Sequence, residues 1–134
     1  MAKHCENALA VAQYLEKHAS VSWVNYAGLP GNPSYMLGQK LCPNGAGAVF
    51  TFGLRGGYEA GKRLCSELQL FSLLANIGDT RSLVIHPAST THRQLTDAQR
   101  TAAGAGDDVV RLSVGIEDKD DIIADLEQAL AKVG

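Results

Sequence analysis

Four short runs of β-forming residues, at positions 21–26, 48–54, 82–85 and 109–114, alternate with stretches whose apolar residues recur at helical spacing. That alternation constrains the fold more than any other feature. Each run is too short for a core helix and too rich in branched and aromatic residues for a loop. In the first helical stretch Cys5, Ala8, Leu9, Ala12 and Leu15 mark one buried face. A second face is Gly61, Leu64, Cys65, Leu68 and Phe71, and a last one is Ile122, Ile123, Leu126 and Leu130. Thr96-Asp97-Ala98-Gln99 is a capping box opening a helix that ends near Gly104. The Gly/Pro/Asn-rich residues 28–33 form a loop, and a short helical turn is expected within residues 34–45. Asp118, Asp120 and Asp121 at the start of the last helix, with Lys132 near its end, suit the helix dipole.

This order predicts a single domain over residues 1–134 with an α/β (α+β) two-layer sandwich fold: a mixed, largely antiparallel four-stranded sheet with helices on one face. No capping residue precedes the periodic positions of the first helix, so its natural beginning is expected upstream. A net charge of −2 leaves no electrostatic footprint for nucleic acid, and no apolar run suggests a membrane span. The residues at 1–7 carry no secretory signal, and the 3 cysteines are scattered without a Cys-x-x-Cys pair. Reduced thiols in the cytoplasm are the expectation.

Most chemistry-bearing residues have an ordinary structural explanation. Residues 56–62, Gly56-Gly57-Tyr58-Glu59-Ala60-Gly61-Lys62, match a phosphate-loop spacing, but Arg63 stands where a hydroxyl must reach magnesium and Glu59 would repel phosphates. These glycines read as a strand-to-helix turn. His86 and His92 lack further ligands at metal spacing and read as hydrogen-bonded loop histidines, so no metal is expected. Cys5 and Cys65 lie on helix faces and read as small core residues. Two features are less easily explained. Arg111 stands alone among Val109, Val110, Leu112, Ser113 and Val114, opposite the apolar side of its strand. It either pairs with Asp107 or Asp108 at the surface or holds its guanidinium fork for a ligand carboxylate. Residues 82–92 run from an apolar strand into a loop dense in hydroxyls, which suits a polar ligand or a capped turn.

Those two segments also carry a resemblance. Ile77-Gly78-Asp79-Thr80-Arg81 ahead of Ser82, His86-Pro87-Ala88-Ser89-Thr90-Thr91-His92, and Val110-Arg111-Leu112-Ser113-Val114-Gly115-Ile116-Glu117-Asp118 resemble the C-terminal part of the Cys/Met-metabolism enzymes that depend on pyridoxal phosphate (PLP). The likeness runs through the whole chain, with residues 1–19 similar to the long helix leading into the small domain of fold-type I PLP enzymes. Residues 47–54, 70–76 and 77–81 look most like the O-acetylhomoserine sulfhydrylase branch, with methionine γ-lyases and cystathionine synthases or lyases as near rivals. A non-catalytic, stand-alone interaction domain is the rival from another class.

The resemblance implies that Arg111 binds the α-carboxylate of an amino-acid substrate, that Ser82 and Leu83 line the same site, and that Thr91 lies near it. It implies PLP in the full enzyme, where the cofactor takes up electrons while acetate leaves O-acetylhomoserine and sulfide or a thiol replaces it, giving homocysteine or methionine. It also implies a larger PLP-binding domain outside this chain and a homo-oligomer, a tetramer for the whole enzyme; apolar surface uncovered without that larger domain is expected to make this piece a dimer. The family's Schiff-base lysine sits in a Ser-x-Thr-Lys context that none of Lys3, Lys17, Lys40, Lys62, Lys119 or Lys132 shares. No catalytic residue, no bound cofactor and no activity are therefore expected of the chain alone.

Overall fold

The computed structural model describes residues 1–133. In chain order it contains α1 (Ala2–Glu16), β1 (Val21–Asn25), α2 (Tyr35–Leu41), β2 (Val49–Leu54), α3 (Gly57–Glu67), β3 (Ser72–Leu73), β4 (Leu83–Ile85), a 3-10 turn (Pro87–Ser89), α4 (Asp97–Ala102), β5 (Val109–Ser113) and α5 (Lys119–Val133). The sheet order is β1-β2-β5-β4-β3. The first three pairings are antiparallel, and β3 joins β4 in parallel. The sheet therefore has five strands rather than the expected four. The extra one is only two residues long, too short to show a period of its own.

Strand β5 lies at the centre, between β2 and β4. Phe50, Phe52, Leu54, Val84, Val110, Leu112 and Val114 point to one side and form the main core with Ala8, Val11, Ala12 and Leu15 of α1, Leu64 of α3 and Ile122, Leu126, Ala129 and Leu130 of α5. The three long helices thus cover one face, as expected. Cross-strand partners share a face. The registers Thr51↔Arg111 and Ile85↔Arg111 therefore put Thr51, Arg111 and Ile85 side by side on the face away from those helices. No described helix is long and apolar enough to cross a membrane.

Two helix faces differ from their periodic reading. The buried face of α1 includes His4 and Asn7, while Cys5 and Leu9 are only partly covered. The polar pair is tolerated because His4 Nε2 bonds the Asp79 carbonyl at 3.0 Å, and Asn7 Nδ2 donates to the carbonyls of Gly115 (3.1 Å) and Glu117 (2.8 Å). Helix α3 stops at Glu67 instead of continuing to Phe71, with Leu68 turning extended at φ −68°, ψ 134°. The next three amides are drawn to the Asp125 carboxylate of α5 instead: Gln69 N at 2.9 Å, Leu70 N at 2.8 Å and Phe71 N at 3.3 Å. The expected capping box is formed, with Thr96 and Gln99 satisfying each other's backbone amides.

Gly56 and Gly57 take the left-handed conformation, φ +103° and +63°, and make the strand-to-helix turn expected of them. Gly61 answers to a different need. The fully buried His86 ring lies against its Cα, so an added Cβ would fall inside van der Waals contact with that ring. Gly61→Ala should therefore overpack a filled site and lower stability by about 1–3 kcal/mol. Denaturant unfolding measures this directly. A change near zero would mean that the ring can move aside.

Candidate functional site

Arg111 projects from the centre of the sheet, with Val110 and Leu112 beside it completely buried and directed the other way. Neither aspartate proposed as its surface partner is free to play that part. Asp107 pairs with Arg100 at 3.0 Å, and Asp108 accepts the Trp23 indole N–H at 2.9 Å. Arg111 is half-buried and donates from Nη2 to the Asn76 carbonyl at 3.3 Å. It forms no ion pair with a described residue. A planar fork with unused donors on a partly desolvated strand is suited to receive a carboxylate in two parallel hydrogen bonds.

The other expected site residues fall into two groups. Leu83 is buried on the same sheet face as Arg111, two register positions along β4 from Ile85. Ser82 is fully buried and its hydroxyl is already engaged: Oγ donates to Glu117 Oε2 at 2.9 Å and accepts from Gly115 N at 2.9 Å, while Ser82 N donates to Glu117 Oε1 at 2.6 Å. Its side chain is therefore a joint between β4 and the turn after β5, and only its place in the chain puts it near Arg111. Thr91 is exposed, and its hydroxyl shares a 2.8 Å hydrogen bond with His92 Nδ1. The structure brings Arg111 and Leu83 to one face and gives Thr91 no part in that grouping.

His86 is a tether of the same loop. Its Nε2 lies 2.8 Å from the Asp107 carbonyl, which can only accept, so that nitrogen carries the proton; Ser89 Oγ lies 2.8 Å from Nδ1. His86 is thus the hydrogen-bonded histidine expected of it. Among the described residues no group of three or more His, Cys, Asp or Glu side chains is arranged to hold a metal. Asn76, Glu117 and Asp125 were missed in the sequence. Asn76 acts through a backbone carbonyl, which has no residue signature. Asp125 did leave one, a carboxylate between Ile122 and Ala129 on the buried stripe of the last helix.

Among the described residues no lysine has the setting that a covalent link to PLP requires. Lys3, Lys17, Lys40, Lys62, Lys119 and Lys132 are all exposed, on helices or, for Lys17, just past the end of one, and Lys3, Lys62 and Lys132 pair with Glu6, Glu59 and Glu67. A lysine that forms a Schiff base needs a desolvated setting that lowers its affinity for protons. The residues present do not fit the cofactor's linkage. All three thiols are free, and burial pushes the Cys65 thiol up to about 12, which makes that one a poor nucleophile.

The geometry defines a layered α/β domain whose open sheet face carries, at its centre, an arginine with no acidic partner among the described residues. Comparison with known proteins narrows this. The sequence profile described as Cys/Met metabolism PLP-dependent enzyme matches residues 1–131. The chain is 53% identical over 129 residues to O-acetyl-L-homoserine sulfhydrylase 1 of Thermus thermophilus, covering 96% of this chain and 31% of that protein. It is 51% identical to a homocysteine synthase of Schizosaccharomyces pombe (97% and 30% covered) and 47% identical to an L-methionine γ-lyase of Fusobacterium nucleatum (99% and 33%). A crystal structure from Campylobacter jejuni, assigned as an O-acetylhomoserine (thiol)-lyase and carrying a pyridoxyl-lysine phosphate, superposes with a TM-score of 0.89 at 44% identity. That match covers 96% of this chain and 31% of the other. The chain belongs to the Cys/Met-metabolism family of PLP-dependent enzymes, and it spans about a third of the length of the relatives it matches.

The thiols provide a test of the burial that the fold imposes. Alkylation by iodoacetamide at pH 8 should modify exposed Cys42 first and leave Cys65 unmodified until the fold opens. Burial likewise pushes the Tyr26 hydroxyl up to about 12. Both groups keep their protons more tightly in the folded state, so the stability they contribute is present below their ordinary values of 9.0 and 10.0 and is lost as pH rises toward 12. Fast labelling of Cys65 in the folded protein would contradict the assignment.

Proposed function

We propose that this chain is the C-terminal domain of a PLP-dependent O-acetylhomoserine sulfhydrylase and supplies the site for the substrate's α-carboxylate. The observation that carries this reading is Arg111, half-buried at the centre of the open face with no acidic partner of its own. Leu83 forms wall beside it, and Ser82 and Thr91 belong to the same segment and loop. Residues 1–19 act as the linking helix, and the cofactor is held by a larger domain outside the chain. The overall reaction replaces the acetate of O-acetylhomoserine by sulfide or a thiol. The chain contributes recognition and orientation of the amino acid and is inactive alone.

Three relatives described as sulfhydrylases or homocysteine synthase at 50–53% identity favour this branch. The γ-lyase at 47% makes a lyase of the same family the second reading. The three free thiols fit a cytoplasmic setting. Exposed apolar side chains, Met36, Leu37 and Leu41 on α2 with Leu73, Leu74 and Ile77, support assembly into a homo-oligomer, a tetramer for the whole enzyme and a dimer for this chain.

In the enzyme that contains this chain, Arg111→Ala should lower kcat/KM roughly 30- to several thousand-fold, the equivalent of about 2–5 kcal/mol for deleting one side of a charge-assisted pair. Arg111→Lys should restore only part, because an ammonium cannot reproduce the fork. PLP absorbance should be unchanged. Near-normal kcat/KM together with lower thermal stability would mean that Arg111 serves the fold instead.

A second test uses the chain alone. Incubation with PLP followed by borohydride should label the exposed lysines weakly and without preference. Stoichiometric labelling of one lysine, located by peptide mapping, would show a cofactor site that the present reading denies.

A further inference from the structure

We infer that Asp125, on the helix side of the sheet, is a positioning residue for the carboxylate site on the other side, acting through the chain segment that meets Arg111. This rests on the reading of Arg111 given above. Asp125 is 8% exposed and has no cationic partner among the described residues. Its carboxylate instead gathers the backbone amides of Gln69, Leu70 and Phe71 at 2.8–3.3 Å, with Gln128 Nε2 at 3.0 Å from Oδ1. A buried carboxylate is stable on backbone donors alone when several converge on it, and those donors in turn have no other partner.

The next residues lead directly to the site. Phe71 is buried, Ser72 N donates to the Ser82 carbonyl at 3.0 Å, and β3 lies parallel to β4. Leu73, Leu74, Ala75, Asn76, Ile77 and Gly78 are then all exposed, and within this stretch the Asn76 carbonyl accepts from Arg111. The far end is fixed again: His4 holds the Asp79 carbonyl, Ile116 N donates to the Thr80 carbonyl at 2.9 Å, and Glu117 holds Ser82. Because the middle of the segment packs little surface of its own, its position follows from its two ends. Asp125 sets one of them. Loss of that anchor shifts the segment, and with it the only described group that hydrogen-bonds the guanidinium.

The test uses the 134-residue chain, with acetate as a carboxylate probe, by NMR of the Arg111 side chain and of the Asn76 and Ile77 amides. Asp125→Asn keeps the shape and one acceptor, so it should remain folded. It should speed exchange at Asn76 and Ile77 by roughly tenfold, move the Arg111 guanidinium resonance, and weaken the acetate response about fivefold or more. Asp121→Asn, on an exposed position of the same helix, should do none of these. Asp125→Ala should exceed Asp125→Asn in each readout where it folds, and Asp125→Asn decides the question where it does not.

A purely structural Asp125 would lower the melting temperature of Asp125→Asn while leaving the Arg111 resonance, the Asn76 exchange and the acetate response as in the wild type. That outcome overturns the inference. Absence of an acetate response at Arg111 in the wild type would instead overturn the carboxylate reading. Exchange at Asn76 and the Arg111 resonance would still decide whether Asp125 fixes the segment.

Discussion

Side chains alternate along a strand, and on the central strand β5 that rule leaves no freedom. Val110, Leu112 and Val114 have no exposed surface and must meet α1, α3 and α5, so Arg111 must face the other way. Its cross-strand neighbours Thr51 and Ile85 carry no charge, and the two aspartates closest in sequence are held by Arg100 and Trp23. The sheet therefore buries the stem of the arginine and leaves its head uncompensated. A lone cation in this setting gains more from an arriving carboxylate than an exposed surface arginine would, because part of its hydration is already gone.

Around this centre the backbone is fixed by polar joints rather than by more apolar packing. Glu117 grips both the amide and the hydroxyl of Ser82, Ser82 accepts from Gly115, and Asn7 of α1 holds the carbonyls of Gly115 and Glu117. The first helix, the start of β4 and the turn after β5 become one unit. Hydrogen bonds are directional where apolar contact is not, so such joints fix the register of irregular segments that no strand ladder controls. Asp125 performs the same task where α3 gives way to β3.

The parts of the molecule that were legible in the sequence are those with a local cause. Strand alternation, the capping box at Thr96 and Gln99, and the apolar stripe of α5 each depend on neighbours within a turn or two, and the structure has them where the sequence puts them. Arg111 was conspicuous for the same reason, as a charge inside an apolar alternation. The end of α3 was not. Leu68 and Phe71 continue the helical spacing and are both buried, yet the helix stops because a carboxylate more than fifty residues further along takes the next amides. The two-residue β3 exists only because β4 offers it an edge. The roles of Ser82 and Thr91 came from resemblance rather than from periodicity, and their hydroxyls are bound to Glu117, Gly115 and His92.

Recognition of an α-carboxylate is common to every amino-acid substrate, so the role proposed for Arg111 does not by itself separate a sulfhydrylase from a γ-lyase. Relatives of both descriptions lie within a few per cent of each other in identity to this chain. Discrimination between such reactions has to come from groups near the leaving group and the incoming nucleophile, at the far end of the substrate from the guanidinium. Within this chain the segment best placed to vary without disturbing the clamp is Leu73 to Gly78, exposed in the middle and anchored at both ends by buried polar groups. Its side chains carry almost none of the core, so substitution there changes what borders the site at little cost to the fold. Under the role proposed for Arg111, the buried anchors fix the carboxylate geometry, and the exposed span between them is where the border of the site can change at least cost to the fold.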